Sequence, residues 1–255
     1  MVNQHWQDLE NLIIVAGHAV YVADNFDNPI KDDNWFLQSF QKGEPPFYIE
    51  HILNGVNLAV EDPKSLLVFS GGQTRFEAGP KSEATSYLMI ADHFNWWYRT
   101  SVKLRTTTEE FARDSFENLL FGICRFYEAC DKYPKKVSVV SWAFKEERFK
   151  LHADAIHFDN LDFRGVNNPQ DLGSAKKGEE KALKDFLADP YGARKNNGEK
   201  DTNNKLISYL ADKRYDRNPF NRQHHYKDSC KALKNLLEYD GTEQYNKPLP
   251  WEKEI

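Results

Sequence analysis

Three short apolar runs constrain the fold of this chain more than any other feature of its sequence. They cover residues 12–15, 66–69 and 137–141, and each is rich in Val, Ile or Leu. Continuous apolar runs of this length are typical of strands that are buried on both faces of a parallel sheet. A fourth, weaker strand is predicted at residues 102–105.

Helical patterns lie between these runs. Residues 109–128 place apolar side chains at helical spacing along one face, and helices are also predicted over 49–61, 82–98 and 144–156. Alternating strands and helices build a parallel sheet through right-handed crossovers. The sequence therefore predicts an α/β protein with a Rossmann-like three-layer fold and a mainly parallel sheet.

The strand signals end near residue 165. We therefore predict two units, a Rossmann-like domain over 1–165 and a mostly helical C-terminal extension with loops over 166–255, which packs on the main domain. Within the extension, the sequence favours helices at 178–188, 205–212 and 226–238.

Composition excludes several classes of protein. No stretch approaches the roughly 18 apolar residues that a membrane span needs, and no basic cluster followed by an apolar run opens the chain. The three cysteines lack C-x-x-C spacing, which argues against a disulfide framework and a structural zinc site. We expect a soluble, cytoplasmic protein without a membrane partner, and the sequence leaves its oligomeric state open.

Polar residues and glycines follow the strands, where ligands bind in open parallel sheets. A Gly-Gly pair directly after a strand lets a ligand approach the backbone, and free amides there would cradle an anion. The alternative is a simple tight turn. The candidate ligand-binding residues in these positions are Gly17, His18, Ser70, Gly71, Gly72, Thr74 and Ser141.

The predicted helices add charged and polar candidates to the same edge of the sheet. Arg148 would clamp a carboxylate or phosphate through two parallel hydrogen bonds, or would join a surface ion-pair network. Capping explains Ser82 and Glu110 without a ligand. The alternative for Glu83 is a surface acid that compensates the helix dipole, and a solvated helix face explains Glu117 and Asn118. These helix candidates are Ser82, Glu83, Glu110, Glu117, Asn118 and Arg148.

The order and spacing of these blocks resemble the YdcF-like family, the DUF218 domain, which also contains SanA and ElyC. The resemblance spans residues 12–156. Lys145 stands where many bacterial members carry His, and His18 follows a single Gly where they have a longer glycine run. The matching segments are Val15-Ala16-Gly17, Ser70-Gly71-Gly72, Ser82-Glu83-Ala84, Glu110 with Asp114 to Asn118, and Ser141 with Phe144 and Arg148.

The extension resembles soluble fungal members of that family. The segments that carry this second resemblance are Asp189-Pro190-Tyr191-Gly192, Arg217-Asn218-Pro219-Phe220 and Leu249-Pro250-Trp251.

The family resemblance implies a polar pocket for a nucleotide-like ligand such as S-adenosylmethionine. Within that frame the backbone amides of Gly71 and Gly72 would hold an anionic group of the ligand, and Arg148 would meet its charge. Side chains of Glu83, Glu117 and Asn118 would recognise hydroxyl or amide groups.

Two functions of different class fit these residues. The first is a hydrolase or group transferase for a phosphorylated or nucleotide-like metabolite, with Glu83, Glu110 or Glu117 as general base. Mg²⁺ is the metal that such carboxylates would suit, although no metal site is predicted from spacing. The second is a non-catalytic module for ligand sensing or protein interaction.

A third class, nucleic-acid binding, would use the basic segment 194–234. Its lysines and arginines outnumber its acidic residues, and Tyr215 and Phe220 lie among them. We do not favour this function, because recognised RNA-binding or DNA-binding motifs are absent from the sequence.

Overall fold

A parallel sheet forms the centre of the computed structural model, which describes residues 4–194 and 210–252. Five strands hydrogen-bond in the order β5-β4-β1-β6-β7, and every neighbouring pair is parallel. Strands β2 and β3 form a small antiparallel pair beside it. The strands of the described residues are β1 (Asn11–Ala16), β2 (Val20–Tyr21), β3 (Trp35–Phe36), β4 (Ser65–Ser70), β5 (Thr106–Glu109), β6 (Lys136–Ser141) and β7 (Leu161–Gly165).

Helices cover both faces of the sheet. Successive side chains of a strand point to opposite faces, so Leu12 and Ile14 pack in one apolar layer and Ile13 and Val15 in the other. The first layer contains α4 and α5, and the second contains α1 and α2. The helices are α1 (Pro45–Glu61), α2 (Glu83–His93), α3 (Thr100–Lys103), α4 (Ser115–Cys130), α5 (Glu146–Ala155), α6 (Leu172–Ala188), α7 (Leu210–Asp216), α8 (Tyr226–Ser229) and α9 (Lys234–Leu237).

The predicted α/β fold with three layers is confirmed, and so are the three apolar strands. The fourth predicted strand, at 102–105, is wrong: Val102 is a buried residue of α3, and the strand follows at Thr106–Glu109. Strand β7 was not predicted. Both β5 and β7 are edge strands with partly exposed residues, and they lack the continuous apolar run of a central strand.

Two predicted helices have different limits in the structure. Helix α4 begins at Ser115 because Glu109 belongs to β5 and the Asp114 side chain caps the helix, accepting a hydrogen bond from the Glu117 amide at 2.9 Å. Helix α2 ends at His93, and the following residues Asn95–Tyr98 have positive φ angles.

The extension packs against α4 and α5. Its residues Phe186, Tyr191 and Tyr226 belong to the same apolar layer as these helices. The Tyr191 hydroxyl donates to the Ala155 carbonyl at 2.8 Å, and the Trp251 indole donates to the Ile156 carbonyl at the same distance.

The predicted helices of the extension have mixed outcomes. The helix predicted at 178–188 is the second part of α6, and the one predicted at 226–238 is divided into α8, a 3₁₀ turn and α9. For the helix predicted at 205–212, residues 205–209 lie outside the described residues, and α7 is described from Leu210. The division of the chain at residue 165 remains a prediction.

Candidate functional site

The carboxyl ends of β1, β4 and β6 meet at one edge of the sheet. Ala16 lies opposite Ser70 in the neighbouring strand, and Val15 lies opposite Val140. The Gly17 amide continues the ladder by donating to the Ser70 carbonyl at 2.7 Å. The residues predicted to follow these strands are therefore brought together, as the parallel sheet requires.

Glu83 lies directly against two of the glycines. A Cβ atom at Gly17 would lie 2.6 Å from the Glu83 Cβ, and one at Gly71 would lie 2.6 Å from the Glu83 Oε2. Glycine is needed at both positions because the first residue of α2 approaches the backbone this closely. The Thr74 hydroxyl donates to the Glu83 Oε1 at 2.8 Å.

The Glu83 carboxyl is a candidate proton acceptor. Burial raises its pKa, while the hydrogen bond from Thr74 and the positive charges of Arg217 and Arg75 act in the opposite direction. A carboxyl group with a raised pKa at the carboxyl edge of a sheet is a typical general acid or base.

The Gly-Gly pair serves the fold rather than offering free amides. The Gly71 amide donates to the Glu109 carbonyl at 3.0 Å, and the Gly72 amide donates to the Ala112 carbonyl at 2.7 Å. Neither N–H is available to an anion, so the expectation that these two amides hold an anionic group is replaced by the tight-turn alternative. The carbonyls of both glycines accept hydrogen bonds from the first turn of α2.

Ser82 has the capping role that its position allowed. Its hydroxyl accepts a hydrogen bond from the Thr85 amide at 2.9 Å and lies 2.6 Å from the Thr85 Oγ1. The contact with the amide gives a backbone N–H in the first turn of α2 the acceptor that the helix itself does not supply.

His18 and Lys145 form the basic side of the same edge. The Lys145 Nζ lies 3.5 Å from the His18 Nδ1, and the Ser141 Oγ lies 3.5 Å from the His18 Nε2. Burial, followed by the charge of Lys145, lowers the pKa of His18 well below its usual value, so the imidazole is neutral. Burial and the charge of Arg148 lower the pKa of Lys145 to about 7.

Arg148 is held by the extension. Its Nη2 lies 2.9 Å from the Oε2 of Glu179 in α6, and both side chains are largely buried. Within the described residues, the buried Nε of Arg148 and the Oε1 of Glu179 have no hydrogen-bond partner. The Arg148 guanidinium therefore retains an unsatisfied donor at this edge, which is costly unless a ligand or water meets it.

Glu117 is used for a structural ion pair. Its carboxylate accepts from the Arg113 Nε at 2.9 Å and from the Arg113 Nη2 at 2.5 Å, and it lies 3.4 Å from the Nε of Arg214 in α7. Because arginine occupies both of its oxygens, Glu117 is poorly suited to act as a general base.

A buried network also holds Ser70 and Asn118. The Ser70 hydroxyl donates to the Glu109 Oε2 at 2.8 Å, and the Asn118 Nδ2 donates to the Ser70 Oγ at 2.9 Å. The other Glu109 oxygen accepts from the Phe111 amide at 2.7 Å and from the Tyr226 hydroxyl at 3.2 Å. Burial raises the pKa of Glu109 to about 7.

Glu110 lies in a cavity of about 90 Å³ whose lining does not include Glu83. Its Oε1 accepts from the Thr108 hydroxyl at 3.0 Å. The three glutamates proposed from the sequence thus have three different surroundings. The cavity is lined by Gln73, Glu110, Phe111, Arg113, Arg217, Asn218, Arg222, Gln223 and His224.

Sequence reasoning missed several residues of the site. In the sequence, Lys145 stands out only as a departure from the family pattern, and the predicted general bases include Glu110 rather than its neighbour Glu109. Glu179 and Arg217 belong to the extension, so no strand-end argument could find them. Glu109 is the last residue of the edge strand β5, and because the sequence does not predict this strand at its true position, nothing in the sequence separates Glu109 from Glu110.

Neither a metal site nor a membrane helix is found in the described part of the chain. Residues 4–194 and 210–252 contain no group of three or more His, Cys, Asp or Glu side chains that could hold a metal ion. In the same residues, every helix is too short or too polar to cross a membrane.

The sequence was compared with those of known proteins, and a curated yeast protein is similar to it. Among curated proteins, the uncharacterized protein YOR238W of Saccharomyces cerevisiae is 27% identical in an alignment 289 positions long, which covers 91% of this chain and 91% of the yeast protein. No protein-family profile matches the sequence. No solved structure matches it either. Membership of the YdcF-like family therefore stays a prediction.

Proposed function

We propose that this chain binds a small phosphorylated or nucleotide-like anion at the carboxyl edge of the sheet and acts on it by hydrolysis or group transfer. One observation carries the proposal: Lys145 and Arg148, neighbours at the start of α5, keep N–H groups that the described residues leave without a good acceptor. The resemblance to the YdcF-like family supports a ligand of the same kind.

Lys145 is the more telling of the two side chains. No carboxylate in the described part of the chain lies within 4.0 Å of its Nζ, and its contact with the His18 Nδ1 at 3.5 Å is long for a hydrogen bond. A partly buried ammonium group without a counter-ion is unfavourable. A bound anion would supply the missing charge and would raise the pKa of Lys145 back from about 7.

The acid and base of the reaction come from the same edge. Glu83 removes a proton from a water molecule as the water oxygen attacks the electrophilic phosphorus or carbon atom of the ligand. The bond to the leaving group breaks, and the ammonium group of Lys145 gives the leaving oxygen its proton. In a transferase, an acceptor hydroxyl takes the place of water. Both groups have a pKa displaced toward neutrality, which general acid–base catalysis favours.

The first test is a thermal-shift screen of the full chain against inorganic phosphate, nucleotides, S-adenosylmethionine and sugar phosphates. A ligand present at about 100 times its Kd stabilises the folded state by about 2.7 kcal/mol. For a domain of this size, that stabilisation raises the Tm by about 5–10 °C.

Three variants show which residues are responsible for ligand binding and for turnover. Arg148→Gln is expected to remove the shift, whereas Glu83→Gln is expected to keep it and to lose turnover of the same compound. Arg164→Gln is the matched control, because Arg164 is exposed on β7 and pairs with Asp162 at 2.9 Å. A shift that survives in Arg148→Gln, or the absence of any shift, contradicts the proposal. Binding without turnover in the wild type would instead assign a sensing role.

A further inference from the structure

A second group of arginines surrounds the cavity that contains Glu110, and the lining of this cavity includes neither Lys145 nor Arg148. The cavity is formed between the loop that follows β5 and the loop that follows α7 in the extension. A buried water needs about 10–15 Å³ in such a measure. A volume of about 90 Å³ therefore accommodates several waters, or one compact group such as phosphate.

Two of the lining arginines have no carboxylate partner. The Arg217 Nη1 donates to the Arg113 carbonyl at 2.8 Å, and the Arg222 Nη1 donates to the Glu110 carbonyl at 2.9 Å. Within residues 4–194 and 210–252, neither side chain has an acidic oxygen within 4.0 Å. The Arg222 guanidinium also lies over the Phe111 ring, 4.5 Å from its centroid, which fixes its orientation.

His224 contributes a further polar group to the lining of this cavity. Its Nδ1 is buried and has no hydrogen-bond partner among the described residues, and the residue lines the cavity. Burial lowers the pKa of His224 to about 4, so the ring is neutral and one of its nitrogens carries a hydrogen. A neutral imidazole N–H and two arginine forks form a donor set for an oxyanion.

Arg217 connects this cavity to the strand-edge site. Its positive charge acts on Glu83, Lys145 and Arg148, which places the guanidinium within electrostatic reach of that site. The side chain also lines the cavity.

We propose that the cavity is a second oxyanion site, built by Arg217, Arg222 and His224 next to the strand-edge site. Its own anion binding stands independently, whereas the consequence that one ligand carries two anionic groups rests on the proposed function. Ligands of that class include sugar bisphosphates and nucleotides with a second phosphate.

Isothermal titration of the full chain with inorganic phosphate, at constant ionic strength, tests the inference. The wild type is expected to bind two phosphates. In Arg222→Gln, the affinity of the cavity site for phosphate is expected to fall about tenfold or more. In Arg148→Gln, the strand-edge site is expected to lose its phosphate instead. Arg222→Lys keeps the charge and is expected to retain measurable binding in the cavity, and thermal unfolding verifies that each variant is folded.

The outcomes separate the two proposals. One phosphate that only Arg148→Gln removes overturns the cavity site and leaves the proposed function standing. One phosphate that only Arg222→Gln removes supports the cavity site and contradicts the strand-edge site. If the wild type binds no phosphate, the cavity site is overturned, and the proposed function is overturned as well only if nucleotides, S-adenosylmethionine and sugar phosphates also fail to bind.

Discussion

Replacing Arg214 with Met tests how the extension is joined to the main domain. Arg214 and Asp114 form an ion pair at 2.6 Å, with side chains that are 11% and 10% exposed. The Arg214 Nη1 also donates to the Tyr191 carbonyl at 2.6 Å. Arg214→Met keeps much of the side-chain length and leaves Asp114 buried without its counter-ion.

The structure gives two estimates of the loss. Burial alone would raise the pKa of Asp114, but the charge and hydrogen bond of Arg214 lower it from 3.8 to about 2. That change corresponds to roughly 2 kcal/mol, at about 1.4 kcal/mol per pKa unit. Removing one partner of a buried pair typically costs about 3–5 kcal/mol, because the other charge stays buried. We expect a loss of about 2–5 kcal/mol and a Tm decrease of about 4–20 °C.

The pH dependence of the loss identifies its cause. In the wild type, the contribution of Asp114 is present above pH 3.8 and disappears as the pH falls through about 2. In Arg214→Met, burial raises the pKa of Asp114, so protonation relieves the buried charge as the pH falls toward 4. The stability difference between variant and wild type should therefore shrink between pH 7 and pH 4 in urea unfolding.

A matched control lies in the same helix. Lys213→Met breaks the ion pair with Asp185, whose side chains are 34% and 25% exposed, and should cost less than about 1 kcal/mol. If Arg214→Met costs no more than this control, or if its cost does not change with pH, the reasoning about the buried pair is refuted.

Two further substitutions test roles assigned to single residues. Burial raises the pKa of Glu109 from 4.5 to about 7, so the wild type loses up to roughly 3 kcal/mol as the pH rises from 4.5 through 7. Glu109→Gln lacks this loss, so its free energy of unfolding in urea, relative to that of the wild type, should be higher at pH 8 than at pH 5. The same difference in free energy at both pH values would disprove the pKa assignment. Ser82→Ala should cost about 1 kcal/mol through loss of the α2 cap, with anion affinity unchanged. If Ser82→Ala weakens anion binding and leaves the Tm unchanged, Ser82 contacts the ligand and its capping role is contradicted.

The sequence predicts the centre of the fold well because the central strands are uniformly apolar. Strands β1, β4 and β6 are buried on both faces, and this burial requires the runs of Val, Ile and Leu from which they were predicted. The edge strands β5 and β7 have only one neighbour in the sheet. Their partly polar residues produce no comparable signal, and β5 was placed four residues too early.

The candidate site was predictable only in part, because its residues come from distant segments. Strand-end reasoning brought Gly17, His18 and Ser141 to one edge, and the structure places them there. The pairing of Glu117 with Arg113 was within reach of the sequence, because the two residues are four apart, but its contact with Arg214 was not, since Arg214 lies about a hundred residues along the chain. Strand-end reasoning also could not show that Glu179 of the extension would hold Arg148.

A crystal structure of the protein with tungstate, an anomalously scattering analogue of phosphate, tests the central claim most directly. The account predicts an anomalous peak within hydrogen-bond distance of the Lys145 Nζ and the Arg148 guanidinium, beside Glu83. The same peak should vanish in Arg148→Gln crystals. Crystals that bind tungstate elsewhere but show no peak at the carboxyl ends of β1, β4 and β6 would contradict the proposed function.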